Sequence, residues 1–315
     1  MIAWVFPGQG SQQVGMAGGL RSTAARETFA EASDVLGWDV VRACDAGPPE
    51  RLDSTEVTQP AVFTVSIAAA RTLEARGLRP EAVAGHSVGE LAAMTVAGGI
   101  RFEDALRAVA ARGEAMRRAG RAHPGGMAAV VGLSAPRVEE LCAESAGLVA
   151  PANLNAPEQV VISGENDAIA DVAARVREDG GRVIRLKVSV AAHSPLMAPV
   201  PEVLAESLRG ASWFPPEIPF FSSVTGRRHD RAEELVDLAV RGVTEPVRWI
   251  DSVGSMHDEG AELFVEVGPG AVLSGLIGRI APEAETVQAG DDDAVDALAE
   301  RLAVVGGRSV DGHSD

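Results

Sequence analysis

The segment GHSVG at 85–89 contains the first side chain that could do covalent chemistry. Gly-x-Ser-x-Gly between a buried strand and a helix is typical of a nucleophile elbow, a tight turn that lifts one serine hydroxyl above a parallel sheet. Glycines flank the serine because a β-carbon there would collide with the neighbouring strand and helix. Apolar residues 82–84 predict the strand, and a helical pattern follows with Glu90 near its positive end. Ser87 is therefore the candidate nucleophile.

A serine hydroxyl is a weak nucleophile unless a base accepts its proton, and the chain has six histidines. His193 ends an apolar run at 188–192 that predicts a strand, and open α/β sheets keep their active sites at the carboxyl ends of strands. We therefore predict His193 as the base; the alternative is a capping or packing histidine. His86 adjoins the serine but is expected to point elsewhere and line the pocket. The others lie in polar or terminal contexts: His123, His229, His257 and His313.

The turn PGQGSQ at 7–12 follows the first predicted strand. Its backbone could aim the Gln9 N–H at the same crevice, with the Val88 N–H as a second donor. Two such amides form an oxyanion hole, and loss of one donor typically raises the barrier by about 3 kcal/mol. The turn also begins a dinucleotide-binding fingerprint, but Gln13 stands where its third glycine is required. We therefore predict no nicotinamide cofactor.

Arg112 lies 25 residues after Ser87, inside the helical pattern RGEAM at 112–116. On the buried side of that helix its guanidinium could bind a carboxylate through two parallel hydrogen bonds. The alternative for an isolated arginine is a solvated salt bridge.

Strands alternating with helices predict an α/β fold with a mostly parallel sheet covered on both faces. Apolar runs predict strands near 1–6, 82–84, 218–224 and 262–267. Helical spacing of apolar residues recurs near 20–36, 58–76, 88–97, 102–120, 195–209, 231–240 and 249–259. Residues 291–293 begin either a last helix to about 305 or an acidic cap.

The order β-α-β-β-α-β over 126–187 is typical of a ferredoxin-like unit. Its predicted elements are a strand at 127–133, a helix at 135–146, strands at 149–150 and 160–163, a helix at 166–179 and a strand at 182–186. We predict that this unit is inserted into a large domain formed by 1–125 and 188–305. The last residues, 306–315, are predicted to be a disordered tail.

Composition excludes several classes of function. The balance of 28 basic against 45 acidic residues, a net charge of −17, argues against a nucleic-acid partner. The two cysteines lack metal-ligand spacing and indicate a reducing compartment. No apolar run approaches the ~20 residues of a membrane helix, and no signal peptide is evident. We expect a cytoplasmic protein without a metal or membrane partner.

Taken together, the motifs resemble the malonyl-CoA:acyl-carrier-protein transacylase family, which includes the discrete, trans-acting acyltransferases of polyketide synthases. The similarity runs in order from about 2 to 280. It rests on PGQGSQ at 7–12, TQPA at 58–61, GHSVGE at 85–90, RGEAM at 112–116, ANLNAPEQVVISG at 152–164, HS at 193–194, PVRW at 246–249 and VEVGPGAVLSGL at 265–276. The family's fold is an α/β-hydrolase-like large domain with parallel sheet plus an inserted ferredoxin-like small domain.

The resemblance implies a ping-pong acyl transfer. Ser87 attacks the thioester of an acyl-CoA, and His193 moves the proton. The amides of Gln9 and Val88 hold the oxyanion, and Arg112 pairs with the free carboxylate of a malonyl-type group. The phosphopantetheine thiol of an acyl carrier protein then takes the acyl group. No metal or organic cofactor is implied.

Three positions bear on how the resemblance applies. The histidine of relatives is oriented by a backbone carbonyl, which we place at Gly242, where relatives often have glutamine. Malonyl-selective relatives have phenylalanine at the position of Ala192, so the space here could admit an α-substituted malonyl group. Val88 is instead the residue type of malonyl-selective relatives. Malonyl is therefore the leading prediction, with a substituted malonyl group as the alternative. His86 and Met116 are expected to line the acyl pocket with Ala192.

Two other classes of function remain open. A serine hydrolase that removes acyl groups from carrier proteins would keep Ser87 and His193 but has little use for Arg112. A non-catalytic docking subunit on the same fold would need none of these three residues. An acidic carrier protein requires a local basic patch on this acidic chain. The candidates are Arg117, Arg118 and Arg121, or Arg71, Arg76 and Arg79. A monomer is the default expectation.

Overall fold

The computed structural model describes residues 1–188 and 190–307. The strands are β1 Ile2–Phe6, β2 Ala82–Gly85, β3 Gly126–Val131, β4 Val149–Ala156, β5 Gln159–Gly164, β6 Arg182–Arg185, β7 Phe220–Ser222, β8 Arg227–His229, β9 Leu263–Val267 and β10 Glu285–Ala289. The helices are α1 Thr23–Leu36, α2 Val40–Ala46, α3 Pro49–Leu52, α4 Thr55–Ala75, α5 Gly89–Val96, α6 Phe102–Ala122, α7 Ala135–Ala143, α8 Asn166–Glu178, α9 Val200–Leu208, α10 Ala232–Arg241, α11 Trp249–Asp258, α12 Val272–Ile280 and α13 Asp292–Gly307.

The larger sheet has six strands in the order β10-β9-β1-β2-β7-β8, and all neighbours pair in parallel except β7 and β8. Side chains alternate across it because a strand has a period of two residues. Trp4 and Phe6 of β1 pack in the core with residues of α1, α4, α5 and α6. Ala3 and Val5 pack on the other face with residues of α11 and α12. The sheet is therefore buried on both sides, as a parallel sheet requires.

The smaller sheet is antiparallel, in the order β4-β5-β3-β6. One of its faces packs against α7 and α8 through Val130, Val160 and Ile162. Its other face presents Met127 and Ala129 toward the larger unit. β4 also joins that unit directly, since the Val247 amide donates to the Ala152 carbonyl at 2.8 Å and the Leu154 amide to the Val247 carbonyl at 2.8 Å.

The predicted α/β architecture is confirmed, whereas several details are corrected. The predicted strand before the candidate base is wrong: Val188 and residues 190–193 form no strand. His193 instead has φ 57°, and its amide donates to the Val243 carbonyl at 3.1 Å. Val243 follows the end of α10, so a loop rather than a strand accepts this hydrogen bond. Sequence patterns did not predict α2, α3, α12, β8 or β10.

The end of the chain is partly outside the described residues. Helix α13 continues through Gly307, so the predicted tail is wrong for 306–307, and 308–315 lie outside the described residues. No helix of the described part of the chain is long and apolar enough to cross a membrane. Within the same residues, no group of three or more histidine, cysteine or acidic side chains is arranged to hold a metal ion.

Candidate active site

The turn between β2 and α5 holds Ser87 in a strained conformation. Its φ is 55°, in the left-handed region that non-glycine residues rarely adopt. The flanking glycines are sterically required: a β-carbon on Gly85 would lie 2.0 Å from the Gly89 carbonyl oxygen, and one on Gly89 would lie 2.1 Å from that of Phe6. This is the geometry of a nucleophile elbow.

Ser87 and His193 meet across the site. Ser87 Oγ lies 2.8 Å from His193 Nε2, and His193 Nδ1 lies 3.0 Å from the backbone carbonyl oxygen of Glu245. A carbonyl only accepts, so Nδ1 carries the proton and Nε2 is the free base. Burial lowers the pKa of His193 to about 3, assisted by the positive charge of Arg112. The imidazole is therefore neutral and ready to accept the serine proton.

The orienting carbonyl differs from the one predicted at Gly242. Glu245 accepts the Nδ1 hydrogen bond, and the Gly242 backbone only adds a smaller effect that raises the pKa of His193. A bidentate ion pair to Arg241 holds the Glu245 side chain, with nitrogen–oxygen distances of 2.7 and 3.1 Å. The chain turns tightly after α10, and this turn brings the carbonyl of Glu245, three residues after Gly242, to the imidazole.

Two backbone amides beside Ser87 are free to donate. Among the described residues, neither the Gln9 nor the Val88 amide donates a hydrogen bond to the protein. The two turns approach closely, since a β-carbon on Gly8 would lie 2.6 Å from the His86 carbonyl oxygen. Free amides at the start of α5 and in the adjoining turn are the donors that an oxyanion hole needs.

Arg112 extends from α6 to the nucleophile and is only 3% exposed. Its Nη1 donates to Gln59 Oε1 at 2.5 Å, and its Nη2 donates to Ser87 Oγ at 3.2 Å. No acidic side chain of the described residues lies within 4.0 Å of this guanidinium. Burial lowers the pKa of Arg112 to about 10, opposed by the charge of Glu90, and the group stays protonated at neutral pH.

Gln59 is a site residue that sequence reasoning missed. It is 1% exposed on α4, accepts from Arg112 and donates Nε2 to Met116 Sδ at 3.2 Å. The TQPA segment was the available signal, because a glutamine in an apolar helix is a buried polar group that needs partners.

His86 faces the smaller unit rather than Ser87. Its Nε2 lies 2.8 Å from Asn155 Oδ1 of β4, and its ring stands edge-on to Trp249 at 5.6 Å between centroids. Burial lowers the pKa of His86, so the ring is neutral. The contact ties the elbow to the smaller sheet, and Asn155 is a second residue that the sequence did not single out.

A cleft of about 80 Å³ lies between the two units beside Ser87 and His193. Ala192 and Met116 border it, as predicted. Val88 does not border it within the described residues; its side chain is 1% exposed and packs in the core. The residue type at Val88 therefore says nothing about the width of the cleft. The other lining residues are Gln9, Gln59, His86, Arg112, Met127, Asn153, Leu186, Val188 and Val190.

Glu90 is buried behind the elbow, at the start of α5. Its two carboxyl oxygens accept from the hydroxyls of Ser222 at 2.5 Å and Ser223 at 2.6 Å. Burial raises the pKa of Glu90 to about 7, opposed by these hydrogen bonds and by Arg112. The sequence predicted only a favourable position in the helix; the side chain in fact joins the elbow to the end of β7.

We expect Glu90→Gln to change how stability depends on pH. A carboxyl whose pKa is raised on folding stabilises the native state below its unfolded pKa, and that contribution is lost as pH rises through the folded pKa. Glutamine cannot ionise, so the variant does not lose this contribution. As pH rises from 4.5 to 8, the free energy of unfolding of the variant should increase by about 2–3 kcal/mol relative to that of the wild type. Urea unfolding across this range, with exposed Glu50→Gln as control, measures it. If the difference in free energy of unfolding between variant and wild type stays constant across this pH range, the raised pKa is contradicted.

Comparison with known proteins is consistent with this geometry. The sequence matches the acyl transferase domain family over residues 3–303. It is 41% identical over 285 residues to the malonyl CoA-acyl carrier protein transacylase of Salmonella typhimurium, covering 89% of this chain and 92% of that protein. The structure of the transacylase of that name from Coxiella burnetii superposes with a TM-score of 0.92 at 36% identity, covering 96% of this chain and 97% of that one.

A further solved structure contains a partner protein. It is described as a type II polyketide-synthase acyl-carrier protein in complex with its malonyl-transacylase. This chain matches it with a TM-score of 0.91 and 37% identity, covering 95% of this chain and 99% of that one.

Proposed function

The chain belongs to the acyl transferase domain family, and we propose that it moves a malonyl group from CoA to the phosphopantetheine thiol of an acyl carrier protein. The single observation that carries this proposal is the buried guanidinium of Arg112 next to Ser87, without an acidic partner among the described residues. A buried cation calls for an anionic partner. The free carboxylate of a malonyl group on Ser87 would supply it.

The first half-reaction makes an acyl-serine. Ser87 Oγ forms a bond to the thioester carbonyl carbon while His193 Nε2 takes the hydroxyl proton. The amides of Gln9 and Val88 stabilise the oxyanion of the tetrahedral intermediate. The carbon–sulfur bond then breaks, and the protonated imidazole gives its proton to the departing CoA sulfur. The Glu245 carbonyl keeps the ring oriented throughout.

The second half-reaction reverses these steps with another thiol. His193 takes the proton from the phosphopantetheine sulfur, which attacks the acyl-serine carbonyl. The carbon–oxygen bond to Ser87 breaks, and its oxygen regains the proton. Because one site serves both thiols in turn, we expect ping-pong kinetics.

Two other functions fit the site less well. A carrier-protein hydrolase would share the dyad, but its substrates have no terminal carboxylate for Arg112. A docking subunit would not need a serine and a histidine 2.8 Å apart with a neutral imidazole. Transfer is therefore favoured over both.

The cleft beside Ala192 sets which malonyl groups fit. A methyl side chain there leaves space next to the acyl α-carbon, so we propose malonyl as the main substrate with α-substituted malonyl groups accepted. Ala192→Phe should then lower the rate of methylmalonyl relative to malonyl acylation by about tenfold or more, because one methyl group is worth this much in a confined site. Competition between the two thioesters, read by intact-protein mass, measures the ratio.

Val88→Ala is the matched control for this change. It retains the backbone amide, and the side chain lies outside the cleft, so the ratio of methylmalonyl to malonyl acylation should stay that of the wild type. A ratio moved by Val88→Ala and not by Ala192→Phe contradicts the assignment.

Brief incubation with malonyl-CoA, methylmalonyl-CoA, ethylmalonyl-CoA and acetyl-CoA, followed by intact-protein mass spectrometry, tests the proposal. A malonyl adduct that transfers to a carrier protein supports it. An adduct that is released to water at the same rate with and without a carrier protein favours the hydrolase. Labelling by acetyl-CoA alone removes the proposed role of Arg112.

We also infer that the smaller unit is a ferredoxin-like insertion at 126–187 in an α/β-hydrolase-like domain formed by 1–125 and 188–305. The element order β3-α7-β4-β5-α8-β6 and the parallel larger sheet support this division. Service in a polyketide pathway, a cytoplasmic location and a monomeric state stay predictions.

A further inference from the structure

Strand β6 lies at the outer edge of the smaller sheet and is unusually basic for this acidic chain. Arg182, Arg185 and Lys187 are exposed, and none lies within 4.0 Å of an acidic side chain among the described residues. Ile184 between them is 56% exposed. We call these four residues the β6 strip. Lys187 is also the only lysine in the sequence.

The β6 strip leads into the active-site cleft. Leu186 and Val188, on either side of Lys187, both line the cleft. Ile184 pairs with Ala129, which belongs to the apolar cluster beside the cleft, so its side chain shares that face of the sheet. Arg182 lies two residues earlier on the same face, about 13 Å from Leu186 along an extended strand.

Most arginines in the two docking clusters predicted from the sequence are paired with acidic side chains, unlike the cations of the β6 strip. Glu114 pairs with both Arg117 and Arg118, at 2.6 and 2.7 Å. Arg71 pairs with Glu31 at 2.6 Å, and Arg76 with Asp296 at 2.7 Å. Only Arg79 and Arg121 of the six lack an acidic partner within the described residues.

We propose that the β6 strip is the surface on which the acyl carrier protein docks. A net charge of −17 repels an acidic protein at long range, so productive encounter requires a local basic surface near the cleft. Arg182 and the exposed Ile184 share the cleft side of the sheet, and Lys187 stands between two residues that line the cleft through which the phosphopantetheine arm must enter. Arg185 adds positive charge from the opposite face, where its Nη2 donates to Asn166 Oδ1. This proposal rests on the proposed transferase function.

Charge reversal tests the strip. The double variant Arg182→Glu/Lys187→Glu should raise the carrier-protein KM by about tenfold or more, because rim charges govern encounter between oppositely charged partners. Formation of the acyl-serine from malonyl-CoA should stay within about twofold of the wild-type rate. The matched control Arg118→Glu/Arg121→Glu makes the same charge change on α6 and should leave the KM nearly unchanged.

A carbodiimide cross-link gives an independent readout, since Lys187 is the only lysine able to join a carrier carboxylate. We expect a cross-linked peptide containing Lys187. Lys187→Arg should lose the cross-link and keep the carrier-protein KM, because arginine retains the charge without a reactive amine.

Three results overturn the docking surface: an unchanged KM in the strip variant, a larger KM increase in the α6 control, or a malonyl-CoA KM that rises as much as the carrier-protein KM. The last would place the phosphates of CoA on the strip instead. Failure of the wild type to form an acyl-serine from malonyl-CoA is a separate result, which overturns the proposed function.

Discussion

Ser87→Ala is expected to abolish the acyl-enzyme. The hydroxyl that forms the ester is removed, while the elbow and the free amides of Gln9 and Val88 remain. Steady-state transfer of malonyl to a carrier protein should fall by about 10,000-fold or more, as for other enzymes that lose a member of a serine–histidine unit. Intact-protein mass after incubation with malonyl-CoA should show no adduct.

Ser194→Ala is the matched control, because it is the same change one residue from the base. Its hydroxyl donates to the Ala191 carbonyl at 2.6 Å and points away from the chemistry. It should acylate at close to the wild-type rate. An adduct of undiminished yield in Ser87→Ala would show that another side chain carries the acyl group.

The rate at which the wild type forms the acyl-serine can also be measured as a function of pH. His193 acts as a base only when neutral, and its pKa is lowered to about 3. The acylation rate should therefore not decline through pH 6.5, the ordinary range of histidine. Arg112 contributes to this lowering, so a carboxylate bound to Arg112 should move the pKa of His193 back upward.

Arg112→Ala is expected to change which thioester reacts. Malonyl acylation should fall by about 100-fold or more, since breaking a buried, hydrogen-bonded charge pair costs several kcal/mol. Acetyl acylation should fall much less, because acetyl has no carboxylate to pair. The measurement is the ratio of acylation rates with malonyl-CoA and acetyl-CoA in each variant.

Two further variants distinguish binding of the malonyl carboxylate by Arg112 from a role of Arg112 in holding Ser87 in place. Arg112→Lys keeps the charge and loses the planar fork, so it should recover only part of the malonyl rate. Arg107→Ala, on an exposed part of α6, should leave the ratio unchanged. An equal loss for malonyl and acetyl in Arg112→Ala would mean that the guanidinium only holds Ser87 in place.

Local patterns were reliable where a short stretch of chain determines its own conformation. The elbow could be predicted because Gly85 and Gly89 are demanded by contacts within and beside a single turn. Helix and strand periods likewise identified most long elements. They missed short or peripheral ones, such as α3 and β8, whose few residues carry too little periodicity.

The run before His193 shows where local patterns fail. Its apolar residues predicted a strand, but Val188 and residues 190–193 form none, and the His193 amide donates to the Val243 carbonyl after α10. A strand requires a partner, and the partner is a property of the whole fold.

The sequence by itself determined which side chains are the candidates for the chemistry: Ser87, His193 and Arg112 stand in motifs whose residue types suit only a few reactions. Tertiary structure alone decided what surrounds them. The fold brings Ser87 and His193, 106 positions apart in the sequence, within hydrogen-bond distance. It also places the Glu245 carbonyl at His193, and it places Ala192 rather than the Val88 side chain beside the cleft. These outcomes depend on burial and on long-range contacts, which no local stretch of residues encodes.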